Sequence, residues 1–324
     1  MRNAIFTLTA VILLVLGCCT TTEVKAQQDA QYSMYMFNGL AVNPAYAGSR
    51  DRLALLALYR HQWTGLKGAP KTFLALAHAP LLNDRIGLGL SVASDNIGVL
   101  NLVTISGNYA YRLPLGKGNM KGRLCFGLNT TVNYYNNRLS ESQLRDAADP
   151  LFANDLKVTN LNFGAGAYYY NDHFYVGVSM PHFLNGNLNQ SFELAGTDSS
   201  LARQWRHMFI TVGGIVKLND NVKFKPSMLF KHVKDRDLQG DFNASFLIKE
   251  SLWLGASFRT TIKEPVAVVG MIEYDFAKNF RLGYAYDYNF QQIAQYQSGS
   301  HEIMVSYEFG KKETYLTPRK MSYF

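Results

Sequence analysis

Close to the C-terminal end, Ser298, Ser300, His301 and Glu302 bring a hydroxyl nucleophile, an imidazole base and a carboxylate into one short stretch. These are the side-chain types of an acyl-transfer relay. Their neighbourhood in sequence is not relay geometry, because consecutive strand residues face opposite ways and the roles require an ordered line of hydrogen bonds. The other chemistry-bearing residues are more scattered. His78, His173, His182, His207 and His232 lie far apart, with no HExxH helix and no compact metal pattern, and read as satisfied rim or lumen histidines. Asp146, Asp149, Asn154 and Asp155 offer oxygens to calcium but lack a recognisable loop spacing. Cys125 has no clustered Cys/His partner. The expectation is no catalytic residue, no cofactor and no metal, and a mechanism of recognition instead of bond chemistry.

The elements that would position these residues are strands. RIGLGLSVAS, RLCFGLNTTVNYY, NLNFGAGAYYY, HFYVGVSM, SLWLGASFR, FRLGYAYDY and HEIMVSYEF alternate apolar and polar residues and are separated by Gly, Asn or Asp turns. Their length, roughly 9–11 residues, is what a tilted strand needs to cross hydrocarbon. The pattern predicts an all-β chain: a transmembrane antiparallel β-barrel of the outer membrane, with 14 strands. They are placed near 52–60, 71–79, 86–93, 102–112, 123–135, 159–170, 173–180, 206–217, 221–232, 240–249, 251–259, 265–275, 280–288 and 300–309. With a periplasmic N-terminus, the connections 61–70, 94–101, 136–158, 181–205, 233–239, 260–264 and 289–299 fall outside. The shorter set, 80–85, 113–122, 171–172, 218–220, residue 250 and 276–279, falls inside, as barrels require.

The alternation also assigns faces. Leu252, Leu254, Ala256 and Phe258 oppose Trp253, Gly255, Ser257 and Arg259, and Leu282, Tyr284 and Tyr286 oppose Arg281, Gly283, Ala285 and Asp287. An unpaired charge facing lipid costs roughly 2–4 kcal/mol at mid-membrane. Arg281, Asp287, Glu273, Asp275, Glu302 and Glu308 are therefore assigned to the lumen or its rims, and Cys125 to the interior face shared with Arg123, Gly127 and Asn129. Tyr134, Tyr135, Tyr168, Tyr169, Tyr170, Tyr175, Tyr284, Tyr286 and Tyr288 gather near strand ends, where lipid-facing rings form an interfacial girdle. Inward and loop aromatics, Trp63 and Trp205 among them, leave open a carbohydrate or peptide platform.

Composition agrees, with 48% hydrophobic residues, 13% aromatic residues and 26 glycines recurring inside the strands. Residues 1–26 read as a signal peptide: Arg2, an apolar run from Ala4 to Gly17, and cleavage after Ala26. Lipidation at Cys18 or Cys19 is the lesser reading. Cleavage there leaves Cys125 as the sole cysteine, so no internal disulfide forms. The formal charge of +8 is spread over turns and strand ends and forms no basic stripe, which excludes nucleic acid and suits anionic outer-membrane lipids. The organisation expected is a signal peptide at 1–26, a periplasmic N-terminal segment at 27–51, a barrel at 52–310 and a tail at 311–324, whose terminal Phe324 looks like a barrel-assembly aromatic.

Several segments then carry a resemblance: QDAQYSMYMFNGLAVNPAYAGSR, YRHQWTGLKGAPKT, GLSVASDNIG, YAYRLPLGKG, FGAGAYYYNDHFYVGVSMPHFLN and GYAYDYNFQQIAQYQSGSHEIMVSYEF. Together, in order and over nearly the whole mature chain, they resemble the PorP/SprF family of outer-membrane proteins from the type IX secretion and gliding-motility systems of Bacteroidetes. The matching positions are Tyr32, Met36, Phe37, Asn38, Asn43, Pro44, Ala45, Tyr46, Ala47 and Gly48, then Arg60, Gln62, Trp63, Gly65, Gly68, Ala69, Pro70 and Thr72, and later Pro181, His182, Gly299, Ser300, His301 and Glu302. The chain departs at Ala30 and Gly39, where the family commonly has Pro. The resemblance implies a non-enzymatic component that assists export or surface retention of a protein with a type IX C-terminal signal, such as a large adhesin. It also implies periplasmic ring and lipoprotein partners, and a structural anchor for that ring is one alternative reading. A passive porin or hydrophobic-solute transporter is another.

Local chemistry adds two expectations. Pro44 interrupts a regular strand and Gly48 suits a turn, so 27–51 is expected to bend across the periplasmic mouth as a plug or cap, or to serve as a docking tail. The Gly- and Pro-bearing turn at 63–70 presents Trp63 outside as a recognition anchor, with loops 136–158 and 181–205 as further outward surface.

Overall fold

The computed structural model describes residues 31–82, 84–116, 122–141, 155–184, 206–234, 236–276 and 279–309. The signal peptide, Cys18, Cys19, Ala30, Asp146, Asp149, Asn154, Trp205 and the 311–324 tail lie outside them.

The first strands are β1 (Ala54–His61), β2 (Lys71–Leu81), β3 (Ile86–Ile97), β4 (Leu100–Leu115) and β5 (Gly122–Asn137). They are followed by β6 (Leu156–Asn171), β7 (Phe174–Met180), β8 (His207–Gly214), β9 (Val216–Lys217) and β10 (Val222–Val233). The last are β11 (Gln239–Ile248), β12 (Leu252–Thr261), β13 (Pro265–Phe276), β14 (Phe280–Asn289) and β15 (Ser300–Glu308). Each pairs antiparallel with its neighbours, and β1 also pairs with β15, so the sheet closes on itself. β8 and β9 both pair with β10 and are two pieces of one strand interrupted at Ile215. The result is a closed antiparallel barrel of fourteen strands, the number read from the sequence.

The wall is inverted relative to a soluble protein. Leu90, Phe126, Leu128, Leu161, Val178 and Ile303 are exposed, while Arg60, Arg112, Lys225, Glu273 and Glu302 are fully buried. That is the partition a lipid-embedded barrel requires, because hydrocarbon tolerates apolar side chains and penalises charge. Leu254 and Phe258 face out while Trp253, Ser257 and Arg259 face in, and all of the charged residues assigned to the lumen from sequence are turned inward. The pleat divides the clustered tyrosines. Tyr134, Tyr284 and Tyr288 are on the outer face, but Tyr135, Tyr168, Tyr170 and Tyr175 point inside, so only part of the cluster belongs to an interfacial girdle. No helix among the described residues is long and apolar enough to span a membrane.

Wall height is uneven. β4, β5 and β6 each run 16 residues, whereas β7 has 7 and β8 has 8. Taking short turns as periplasmic, the tall strands project on the outer side, and among the described residues β7 ends well short of the outer end of β6.

Candidate functional site

Inside the barrel lies the segment before β1. Its local structure is set by its own sequence: three short 3-10 turns, Tyr35–Phe37, Gly39–Ala41 and Pro44–Tyr46, succeed one another. Asn43 caps the third by accepting the Ala45 amide at 2.9 Å, with Pro44 at the first position, where no donor is needed. Gly48, at φ 76°, then reverses the chain toward β1.

At its outer end Ser33 sits in a buried ionic network. The Ser33 and Met34 amides donate to the Glu302 carboxylate at 2.9 and 2.8 Å, and the Ser33 hydroxyl donates to Asp287 at 2.7 Å. Arg60 bridges Asp287 at 2.7 Å and Glu302 at 3.1 Å, and Arg259 bridges Asp241 at 2.7 Å and Asp287 at 3.1 Å. Five wall residues on β1, β11, β12, β14 and β15 thus converge on one serine. Burying such charges is tolerable only where each is paired and hydrogen-bonded; each charge of this network has an opposite partner, though Arg60 Nε finds no hydrogen bond among the described residues.

Midway, Phe37 meets Trp253 edge-on at 5.6 Å, and Lys225 lies 5.2 Å from the Phe37 ring centroid while donating to the Met36 carbonyl at 3.3 Å. On the opposite wall Asn43 donates to the Ala167 carbonyl at 3.1 Å, and Ser179 donates to the Val42 carbonyl at 2.6 Å. Tyr46 packs edge-on against His78 and Tyr168, each at 5.5 Å, and His78 accepts the Gly48 amide at 3.1 Å. At the inner end Asp51 pairs with Arg112 at 2.6 Å, and Arg50 pairs with Glu308 at 3.5 Å. The segment therefore occupies the lumen itself, reaching far past the periplasmic mouth at which the sequence placed it. The cause is Ser33, whose partners Arg60 and Glu302 sit near the outer end of β1 and β15.

The strand glycines make this possible. A Cβ on Gly87 would lie 2.0 Å from the Ala47 carbonyl oxygen, one on Gly127 would lie 2.1 Å from the Ala45 nitrogen, and one on Gly166 would lie 2.2 Å from the Asn43 side chain. These positions leave the wall flat where the lumen segment lies against it, backbone to backbone at Gly87 and Gly127 and against the Asn43 side chain at Gly166. Gly39, where the family commonly has Pro, is similar: a Cβ there would lie 2.5 Å from the Tyr46 ring.

A second cluster forms the outer rim. The Gln62 amide donates to the Pro70 carbonyl at 2.9 Å and closes the first outer loop. The Trp63 amide donates to the Ser300 hydroxyl at 3.2 Å, Thr64 and Gly299 are joined at 2.8 Å, and Ser298 donates to the Thr64 carbonyl at 2.8 Å. Gly65 and Gly68 take φ 97° and 76°, and Gly68 accepts the Gly98 amide at 2.9 Å. Trp63 itself is held at φ 49°, a conformation costly for a bulky side chain. Two motif blocks far apart in sequence are thereby clasped together.

Of the positions singled out from sequence, Tyr32, Met36, Phe37, Asn38, Asn43, Pro44 and Tyr46 belong to the lumen segment, and Arg60 and Glu302 to the network at its end. Gln62, Trp63, Gly65 and Pro70 form the rim. Pro181 stands apart, its carbonyl accepting from Asn129 at 3.1 Å, with His182 beside it. His301 faces outward with Nδ1 2.7 Å from the Tyr284 hydroxyl, while Ser300 and Glu302 face inward, so the pleat separates the base from the nucleophile and the acid. Asp155 is spent on Ser140, whose hydroxyl donates to it at 2.7 Å. Cys125 is wholly buried. Sequence reasoning missed Ser33, His78, Lys225, Arg259 and Asp241 as holders of the segment. The available signal was charge and glycine on inward positions, which names a lumen face but not what that face meets.

No curated protein sequence matches the chain. Among solved structures it is similar to the Acinetobacter baumannii outer membrane protein Omp33, at 12% identity and TM-score 0.46 over 81% of this chain and 100% of that one. It is similar to the CymD monoaromatic hydrocarbon channel, at 11% identity and TM-score 0.47 over 85% and 93%. A Pseudomonas aeruginosa FadL homologue matches at 11% identity and TM-score 0.44 over 85% and 94%. The family model for the type IX secretion system membrane protein PorP/SprF matches residues 24–307. With that match over an outer-membrane barrel whose motif residues meet in the lumen and at the rim, the chain belongs to the PorP/SprF family.

Proposed function

We propose that this protein is a non-enzymatic, plugged barrel that recognises and retains, on its outer side, a protein exported with a type IX C-terminal signal. The observation that carries this reading is the occupied lumen. A passive porin or solute transporter needs a continuous polar pathway, and here inward Glu302, Glu308 and Arg112 are engaged by Ser33, Met34, Arg50 and Asp51 of the lumen segment. The rim supports the recognition half of the proposal: a loop locked by hydrogen bonds to Ser298, Gly299 and Ser300 offers a preorganised surface around Trp63, which lowers the ordering cost of binding.

The test is purification from the native outer membrane in mild detergent against a deletion control, with planar-bilayer conductance of the same preparation. Recovery of a surface protein bearing a type IX C-terminal region, from a non-conducting barrel, is the expected result. Recovery of periplasmic ring components alone favours the anchoring role, and steady ion current without partners favours the porin.

A further inference from the structure

On the lipid-facing side of the wall, side-chain character changes in steps along the strands that close the barrel. One cross-strand row is Leu282, Val305, Ala57 and Ala75, the row above it is Tyr284, Ile303, Tyr59 and Phe73, and the next is Tyr286, His301, His61 and Lys71. That last row runs on into Asn96 of β3 and Asn101 of β4. Aliphatic, then aromatic, then basic and amide is the order met on leaving hydrocarbon for the headgroup layer. Tyr307 and Phe309, exposed at the other end of β15, mark the inner boundary. With a rise of roughly 3.3 Å per residue and a tilt of about 40°, His301 lies about 20 Å above Phe309, near the outer limit of a hydrocarbon band about 25 Å tall.

His61 stands directly opposite His301 on one side and Lys71 on the other, a pairing that sets cross-strand Cβ atoms roughly 4.5–5.5 Å apart. Basic side chains so placed work against the sheet unless an anion lies among them. The outward positions beside and below them carry Tyr, Ile, Phe and Asn, none of which supplies one. The His301 ring is fixed between Tyr284 and Tyr286, with centroids 6.1 and 5.2 Å away and Nδ1 2.7 Å from the Tyr284 hydroxyl. An imidazole that accepts a phenol proton at Nδ1 keeps its own on Nε2 and presents it as a donor. Lys71 is exposed, as is Lys67 on the turn that joins β1 to β2. Beside them Asn101 donates to Asn96 Oδ1, which leaves a donor on Asn96 and an acceptor on Asn101.

We infer that His61, Lys71 and His301 hold the phosphate of an outer-leaflet glycolipid, whose acyl chains lie over Tyr59, Phe73 and Ile303 and whose sugar hydroxyls meet Asn96 and Asn101. Charge complementarity names the ligand. Three basic groups on one row, with aromatic and aliphatic rows directly beneath, match an anionic headgroup carried on hydrocarbon chains. The outer leaflet of an outer membrane is built of phosphorylated glycolipid, so the lipid against this row carries phosphate on a sugar. The amide pair extends the same row with hydrogen-bonding groups that a sugar uses and a simple phospholipid does not. The site faces lipid, apart from the lumen segment and the rim turn, so it stands whether or not the recognition reading does.

The experiment reconstitutes the full barrel in phosphatidylcholine nanodiscs that also carry lipid A, dephosphorylated lipid A or phosphatidylglycerol. After extraction into detergent, lipid retained per barrel is counted by native mass spectrometry. Lipid A is expected to be retained at least tenfold over either alternative. Equal retention of dephosphorylated lipid A removes the phosphate from the site, and equal retention of phosphatidylglycerol removes the sugar; either result overturns the inference. The variant His61→Gln, Lys71→Gln, His301→Gln is expected to lose retention at least tenfold. Lys217→Gln, which removes an exposed charge at the inner end of the wall, is expected to keep it. Heat-modifiable mobility reports whether each variant forms the barrel. Should the triple variant fail that check, Lys71→Gln alone, at an exposed side chain, is expected to lower retention at least threefold. Wild-type retention in whichever of these two variants forms the barrel refutes the site.

Discussion

Glu302→Ala tests whether the buried network holds the lumen segment. Glu302 is fully buried and accepts the Ser33 and Met34 amides at 2.9 and 2.8 Å while pairing with Arg60 at 3.1 Å. Removing one member of a buried ion pair costs about 3–5 kcal/mol. Arg60 keeps Asp287 at 2.7 Å, so the lower end of that range applies. Stranding two backbone donors, at about 1–3 kcal/mol each, acts on the same state and is not added again. A loss of about 3 kcal/mol at 1.4 kcal/mol per decade raises the population with residues 33–38 detached by roughly 100-fold. The readout is amide hydrogen exchange on the purified protein. Protection at Ser33 and Met34 is expected to drop by that factor while the β5–β6 ladder keeps its own. Undiminished protection of residues 33–38 in E302A would refute the claim that this carboxylate anchors the segment.

Gly127→Ala puts a methyl 2.1 Å from the Ala45 nitrogen, whereas a Cβ on Gly270 meets nothing within 4 Å. Overpacking costs about 1–3 kcal/mol, so G127A is expected to speed trypsin cleavage at Arg50 by about tenfold and G270A to leave it unchanged. Trp63→Gly relieves a left-handed conformation worth about 1–2 kcal/mol for a non-glycine residue. Its unfolding midpoint should hold or rise while partner retention falls at least tenfold, and equal retention would remove Trp63 from the recognition surface. Ser140 donates its hydroxyl and its amide to Asp155, which holds that carboxyl below its ordinary value. A depressed carboxyl stabilises the loop above its unfolded pKa and loses that contribution as pH falls through the lowered value. Exchange at the Ser140 amide, referenced to a neighbour, should therefore accelerate only at acid pH, and Asp155→Asn should abolish the step.

The wall was legible because its rule is local. Alternation at 252–259 and 280–288 fixes which side chains meet lipid, and a charged residue such as Glu273 or Asp287 has only one tolerable side. The contents of the lumen were not legible in the same way. Met36, Phe37 and Tyr46 are largely apolar residues without periodicity, and the 3-10 turns that carry them follow from Asn43, Pro44 and the wall they meet. Their partners, Trp253, His78 and Tyr168, are distant in sequence and register only as inward positions. The Trp63 turn was visible from its glycines, but its clasp onto Ser298–Ser300 depends on β1 closing against β15, a consequence of barrel closure.

An inward-facing charge serves a water-filled channel and a filled barrel equally well, so polarity of the lumen face does not separate the two. What separates them is whether the charges are consumed. In a conducting pore, water solvates the guanidinium and carboxylate groups. Here Arg60, Arg259, Asp241, Asp287 and Glu302 pair with one another around Ser33, and Arg112 Nη2 is shared between Asp51 at 2.6 Å and the Tyr170 hydroxyl at 2.7 Å, while Arg60 Nε and Arg112 Nε and Nη1 have no hydrogen-bond partner among the described residues. Expelling the segment would remove a shared donor from Asp287 and Glu302 and bare glycine backbone at 87, 127 and 166, so opening must break several contacts together instead of one at a time. A lumen built this way behaves as a core, and it gives the rim a rigid base from which to act.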